Sequence, residues 1–310
     1  MSKPLIEIVV PCYNEEECIH LIYDEVTKIF EQIKMYNFSF LYINDGSKDK
    51  TLTEIKKLSV EKENVRYISF ARNFGKESAI FVGLSKSKGD YVVLMDADLQ
   101  HPPKLLIDMV KGIEEGYDCC AARRVSRTGE PIIRSAFSSM FYHVINKVTA
   151  MELHPGETDY RMMTRQVVEA IVSLPERERF IKGIYSWVGF DTKWIAYENV
   201  ERAAGTTKWS FMGLLNYAGN GFIAFATTPL RCASYLGIVI TLCSFLYAFS
   251  IFWGVAFGGG ERTGYASIVI ILLFLGGVII TILGIIGEYL ARIYLEVKKR
   301  PIYIIKESKL

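Results

Sequence analysis

Charge of either sign is nearly absent from one long part of this 310-residue sequence. Between Cys232 and Gly287, only Glu261 and Arg262 are charged. The whole chain nonetheless carries 36 Lys+Arg against 34 Asp+Glu, a net charge of only +2. A charged globular part is therefore joined to an apolar one, and a wholly soluble protein is not expected. The near balance of charge excludes a strongly basic nucleic-acid binder. Six cysteines (Cys12, Cys18, Cys119, Cys120, Cys232 and Cys243) are too few and too irregularly placed for a disulfide scaffold. No CxxC pair and no zinc-finger histidine spacing occurs, so ordinary thiols in a reducing compartment are expected. No internal repeat and no low-complexity segment is present. The N-terminus runs Met-Ser-Lys-Pro into an apolar run with no signal-peptide core, so the first domain is expected to stay in the cytoplasm.

Three nucleotide and hydrolase signatures are also missing. No GxGxxG follows the first strand, which disfavours dinucleotide binding. Gly75-Lys76 resembles the end of a P-loop, but that motif needs glycine where Phe70 stands. No Gly-x-Ser-x-Gly elbow occurs.

What is present begins with an alternation of strand and helix signals over the first 125 residues. Strands are predicted at 6–10, 38–43, 65–70, 91–95 and 117–122. Helices are predicted at 18–33, 51–59, 78–85 and 103–115. That order implies an α/β domain with a mostly parallel, Rossmann-like sheet. Ligands of such sheets bind outside the carboxyl ends of the strands. Those ends carry Pro11–Glu16, Asn44–Asp49, Phe70–Lys76 and Asp96–Gln100. Further on, helices are predicted at 132–149, 167–173 and 179–188, with a short strand at 159–163.

Leu230–Phe257 and Tyr265–Gly287 are each long enough for a bilayer core of about 30 Å. A seven-residue glycine-rich loop separates them. Arg231 precedes the first stretch, and Arg292, Lys298, Lys299, Arg300 and Lys306 follow the second, whereas the connecting loop has only Arg262. Both ends are therefore expected in the cytoplasm. Trp209–Phe225 fits either an interfacial helix or a helix packed on its own domain.

The sharpest chemical feature is Asp96-Ala97-Asp98. Two carboxylates at a strand end can share a hard divalent cation such as Mg²⁺ or Mn²⁺, bridged to substrate phosphates. Gln100 and His101 are near enough in sequence to join that site or to shape its turn. Asp45 is either a turn former before Gly46 or an acceptor for a nucleobase or ribose. Arg72, Asn73, Gly75 and Lys76 form a polar loop suited to phosphate.

These segments, Val10-Pro11-Cys12-Tyr13-Asn14-Glu15-Glu16, Asn44-Asp45-Gly46-Ser47, Arg72-Asn73-Phe74-Gly75-Lys76 and Asp96-Ala97-Asp98-Leu99-Gln100, occur in an order that resembles family 2 glycosyltransferases of the GT-A fold. The branch they resemble is the polyprenyl-phosphate glycosyltransferases, similar to bactoprenol glucosyltransferases and dolichol-phosphate mannose synthases. The resemblance implies a GT-A domain over 1–208 and an interfacial segment over 209–228. It implies two transmembrane helices within 229–295, at about 230–257 and 265–290, and a basic tail with a short strand over 296–310. It implies a metal on Asp96, Asp98 and Gln100, with Mg²⁺ or Mn²⁺ as cofactor. The donor nucleotide would meet Pro11, Tyr13, Glu15, Asp45, Lys76 and Asp96. Asp159, in Asp159-Tyr160-Arg161, would be the base. Arg123, Arg134 and Ser138 would meet the acceptor phosphate. Arg202 and Lys208 would belong to a segment closing over the donor.

Three positions depart from the family pattern: Asn44 replaces an acid, Tyr160 replaces Phe, and Thr206 replaces an acid. The implied partners are a nucleotide sugar, polyprenyl phosphate and a bilayer, with no nucleic acid. The glycine-bearing spans and residues 302–305 are candidates for assembly, with a tetramer expected. The expected place is the inner or plasma membrane. A processive polysaccharide synthase is disfavoured, because no Gln-x-x-Arg-Trp segment and no further spans are found. Two spans are too few for a monomeric transporter, and the intact motifs disfavour a non-catalytic scaffold.

Overall fold

The computed structural model describes residues 3–125, 146–147, 153–174, 176–177, 179–198, 228–258 and 264–310. Two compact units result: Met1–Gly221 together with Pro301–Leu310, and Phe222–Arg300.

The first unit is built on an eight-stranded sheet. Its strands are β1 (Leu5–Cys12), β2 (Asn37–Asn44), β3 (Val65–Phe70), β4 (Tyr91–Leu94), β5 (Cys119–Arg124), β6 (Glu157–Thr164), β7 (Thr192–Tyr197) and β8 (Ile305–Lys309). Their spatial order is β7-β5-β6-β4-β1-β2-β3-β8. β1 pairs in parallel with both β2 and β4, and β2 with β3. β6 and β8 run against their neighbours. The centre is thus parallel and the sheet mixed.

β1 and β2 lie inside this sheet, which explains their nearly continuous apolar sequence. Ile6, Ile8, Val9, Val10, Phe40, Leu41, Tyr42 and Ile43 are fully buried. Glu7 is the exception. Its carboxylate is buried at the edge where β1 begins, away from the strand ends that face the site. There it accepts from the Arg66 guanidinium, Ser39 Oγ and the backbone amides of Lys88 and Gly89. A buried charge is tolerated only with such partners.

The helices of this unit are α1 (Ile19–Phe30), α2 (Thr51–Glu61), α3 (Lys76–Lys86), α4 (Leu105–Glu114), α5 (Arg165–Ser173) and α6 (Ile181–Val188). α1 buries Ile19, Ile22, Tyr23, Val26 and Phe30, the spacing of one helical face. α3 lies close on β1 because Gly83 has no side chain. A Cβ there would come within 2.2 Å of Val9 Cγ1.

Two elements were not legible in the sequence at their observed places. β7 extends the sheet beyond β5, with which it pairs in parallel. β8 starts at Ile305, at the end of the 302–305 stretch read as strand-like, and pairs antiparallel with β3. The helix expected over 132–149 falls outside the described residues except for Asn146 and Lys147, which are helical.

The second unit holds α7 (Thr228–Gly258, 31 residues) and α8 (Tyr265–Lys298, 34 residues). At 1.5 Å per residue these helices reach roughly 46 and 51 Å, more than a hydrocarbon core requires. Each contains a window long and apolar enough to cross a membrane, Thr228–Tyr247 and Phe274–Lys298. Leu242, Phe245, Leu246, Ile280 and Leu283 are all exposed. Helices that are apolar all round and leave such side chains uncovered fit a lipid environment better than water.

Candidate active site

The parallel strands β1 to β4 deliver four loops to one edge of the sheet. The first two loops fasten each other. Asn14 N donates to Ser47 Oγ at 3.0 Å, and Lys48 N donates to Asn14 Oδ1 at 2.8 Å. Glu15 N donates to Thr51 Oγ1 at 2.8 Å, and Lys50 N donates to Glu16 Oε2 at 2.7 Å. Asn14 has φ +53°, a conformation asparagine tolerates better than most residues. Tyr13 and Glu15 are half-buried on this loop, while Pro11 closes β1 opposite Ile43.

The second loop also grips the third. Asp45 accepts from Phe74 N at 2.6 Å and from Gly75 N at 2.9 Å. Burial pushes the Asp45 carboxyl up, and these two amides and Arg72 offset part of that rise. Gly46 has φ +64°, and a Cβ there would lie 2.3 Å from the Arg72 carbonyl carbon. Only glycine fits this crossing of two loops. Gly46→Ala is therefore expected to lower the thermal midpoint by several degrees, measured by thermal shift.

Asn44 has a physical explanation as well. It is 1% exposed. Its Nδ2 donates to Ser69 Oγ at 2.9 Å, and its Oδ1 accepts from Ser47 N at 3.2 Å. A neutral amide meets both neighbours without burying a charge.

Lys76 joins the remaining two loops. It begins α3 directly after Gly75, whose φ is +97°. Its Nζ lies 2.8 Å from Asp96 Oδ1 and 2.7 Å from Asp159 Oδ2. Asp96 and Asp159 are far apart in sequence but meet through strand register. β4 and β6 pair Leu94 with Arg161. Continuing two residues past the end of β4 brings position 96 level with position 159.

Asp159 is half-buried, and its buried Oδ1 has no hydrogen-bond partner among the described residues. Burial alone would raise its carboxyl, but Lys76, Lys182 and Arg161 hold it well below the usual carboxylate range. Burial opposes the Lys76 ammonium too, yet Asp159 and Asp96 raise it above the ordinary lysine value. Both partners therefore stay charged at neutral pH.

Asp98 Oδ1 accepts from Gln100 N at 3.1 Å. Between them Leu99 takes φ +55°. That is a costly conformation for a bulky side chain, on the order of 1–3 kcal/mol, and such costs gather at ligand-gripping turns. His101 is buried beside the rings of Tyr160 and Tyr197, with centroids 5.5 and 5.7 Å away. Burial lowers its imidazole pKa.

The oxygen-only set Asp96, Asp98 and Gln100 suits a hard divalent cation. Among the described residues no three His, Cys, Asp or Glu side chains gather as a metal cage. Two carboxylates completed by donor phosphates are the ordinary way such an ion is held, so the residues fit it.

Arg123 lies at the outer end of β5, where its Nε donates to Pro155 O at 3.1 Å. Arg134, Ser138, Arg202 and Lys208 lie outside the described residues. Two cations near Asp159 had no assigned role in the sequence reading. Lys182 Nζ donates to Glu157 O at 2.9 Å and acts electrostatically on Asp159. Arg161 donates to Glu157 Oε1 at 2.8 Å and lies 3.3 Å over the Tyr185 ring. Glu77, on α3, accepts from Ile181 N at 3.0 Å and ties α6 to this neighbourhood.

A mostly parallel, Rossmann-like sheet with paired acids and a lysine at its carboxyl edge is the architecture of a GT-A domain. The model of Glycosyl transferase family 2 matches residues 7–172, more than half of the chain. CsbB of Bacillus subtilis (strain 168), provisionally named a glycosyltransferase, is 47% identical over 310 residues, covering 100% of this chain and 94% of its own. The SfII prophage-derived bactoprenol glucosyl transferase of Shigella flexneri is 42% identical over 304 residues, 98% of each chain. A solved mannosyltransferase, PcManGT from Pyrobaculum calidifontis in complex with GDP-Man and Mn²⁺, is 16% identical with a TM-score of 0.49, covering 88% of this chain and 81% of its own. The chain belongs to glycosyl transferase family 2.

Proposed function

We propose that this glycosyltransferase moves glucose from UDP-glucose to a polyprenyl phosphate at the cytoplasmic membrane face, with inversion at the anomeric carbon. The observation that carries the reading is the Asp96–Lys76–Asp159 bridge, which sets one cation between an acid of the Asp96-Ala97-Asp98 pair and a half-buried carboxylate. The bactoprenol glucosyl transferase names of several relatives support a lipid carrier as acceptor.

The residues divide the work as follows. The acceptor phosphate oxygen bonds to the anomeric carbon, the bond from that carbon to the diphosphate oxygen breaks, and the electron pair leaves with UDP. A divalent cation held by Asp96, Asp98 and Gln100 would supply charge neutralisation for that leaving diphosphate. Lys76 adds a second positive charge at the same place. The acceptor phosphate is already ionised near neutral pH, so Asp159 has little proton to remove. Its ionised carboxylate orients the acceptor and stabilises positive charge developing on the sugar. Pro11, Tyr13, Glu15 and Asp45 line the nucleoside side, and Arg123, Arg134 and Ser138 receive the acceptor phosphate. Arg202 and Lys208 close over the donor.

Asp159→Asn is expected to lower kcat by about 10²–10³-fold with donor KM little changed, read from initial rates of lipid product. Wild-type kcat in that variant would remove Asp159 from the reaction.

The two units support the membrane arrangement. Residues on both sides of the α7–α8 hairpin, up to Gly221 and from Pro301, belong to one compact unit. This supports an even number of crossings, and the basic flanks support a cytoplasmic side for both ends. The 209–228 segment is assigned to the interface.

A second reading keeps the reaction and changes the donor to UDP-N-acetylhexosamine or GDP-mannose. A panel of labelled nucleotide sugars with polyprenyl phosphate separates them. UDP-glucose is expected to give the highest kcat/KM, and a higher value for another donor would replace it.

A further inference from the structure

Pro301–Leu310, soon after the second apolar helix, belong to the sheet's unit and pair with the strand that leads into the Arg72–Lys76 loop. β8 pairs with β3 along Tyr67↔Lys309, Ile68↔Ser308, Ser69↔Glu307 and Phe70↔Ile305, with a register shift between Ser69 and Phe70. The pairing is fastened at the middle of β8 by Lys56 to Glu307 at 2.6 Å and at its far end by Lys309 Nζ donating to Ser59 O. At the donor-loop end, Ala71 N donates to Ile304 O at 2.9 Å. There the half-buried Tyr303 ring stacks on Phe70 with centroids 5.6 Å apart.

Phe70 is the first link of a short chain of contacts. It is buried and meets Phe74 edge to face at 5.9 Å. The Arg72 guanidinium covers the Phe74 ring at 4.0 Å. The amides of Phe74 and Gly75 are the two that Asp45 clamps. The next residue is Lys76. An edge strand with four charged or polar residues in five has little apolar reason to be there. Its aromatic neighbour Tyr303 instead packs where the donor loop leaves β3.

We propose that Tyr303 is a positioning residue for the reaction: its ring holds Phe70 and Phe74, and through them sets Phe74-Gly75-Lys76 against Asp45 and Asp96. The tail after the second apolar helix thereby forms part of the donor site's support. The proposal rests on the reading of Lys76 as a donor contact, and the test separates the two.

The test uses the full-length chain in detergent with Tyr303→Ala, Tyr303→Phe and Glu307→Gln. Hydrogen exchange is followed at residues 72–76, and UDP binding is measured with Mn²⁺. In Tyr303→Ala, exchange at 72–76 is expected to speed up and UDP affinity to fall on the order of tenfold. Tyr303→Phe keeps the ring and is expected to match wild type in both. Glu307→Gln removes the ion pair to Lys56 at the middle of β8 without touching the Tyr303 ring and is expected to change neither, although it lowers thermal stability slightly. Unchanged exchange at 72–76 in Tyr303→Ala overturns the coupling. So does a Tyr303→Phe protein as impaired as Tyr303→Ala. A wild-type chain that fails to bind UDP counts against the donor reading, and the exchange result still decides the coupling.

Discussion

Asp96→Ala is expected to lower turnover by about 10²–10³-fold, the scale for losing one preorganised electrostatic contact to a leaving group. Asp96 is placed to serve two partners. It lies within salt-bridge distance of Lys76 and, with Asp98, offers the carboxylates for a divalent ion. Removing it leaves Lys76 paired with Asp159 alone and leaves the ion one carboxylate. Chelation of divalent ions should cost the wild-type enzyme a similar factor. It should cost Asp96→Ala much less, because groups that act as a unit are strongly non-additive. Initial rates of sugar transfer, with and without chelator, provide the measurement. Full activity in Asp96→Ala, or an equal further loss on chelation, would break the link between this residue and the ion.

Arg161→Met should have the largest effect on stability. The side chains of Arg161 and Glu157 are 2% and 4% exposed and lie 2.8 Å apart. Deleting one partner leaves a buried carboxylate unpaired, which costs about 3–5 kcal/mol. The same change uncovers the Tyr185 ring, on which the guanidinium rests. Replacing both residues, as Glu157→Gln with Arg161→Met, should recover most of the loss, since the pair itself contributes little net stability. Urea unfolding followed by circular dichroism in detergent reads both effects. A single variant with an unchanged midpoint would show that the pair is not a buried ion pair in solution.

These two residues also mark where the sequence was informative and where it was not. Asp96 and Asp98 were legible because they end a buried apolar strand, and β1, β2 and α1 were legible from unbroken or one-sided apolar patterns. Asp159 was reached only by resemblance. Its meeting with Asp96 depends on β6 entering the sheet antiparallel beside β4, and no spacing in the chain encodes that register. Lys182 gave no signal, because its action on Asp159 arises from the packing of α6. Lys76 was named, but its helix was expected to start at residue 78. The observed start puts Lys76 in the first helical position, just after Gly75. A short strand was expected in the tail, but at 302–305; Ile305-Lys306-Glu307-Ser308-Lys309 has little strand propensity of its own, and its place comes from pairing with β3.

The central claim is that the acceptor is a lipid phosphate. Its most direct test incubates the purified full-length chain with sugar-labelled UDP-glucose, undecaprenyl phosphate and Mg²⁺ or Mn²⁺, then separates organic from aqueous label. The account predicts chloroform-extractable label that needs the lipid phosphate and forms one-for-one with released UDP. Label that stays in the aqueous phase as free glucose or unconsumed donor, with lipid phosphate present, would contradict it.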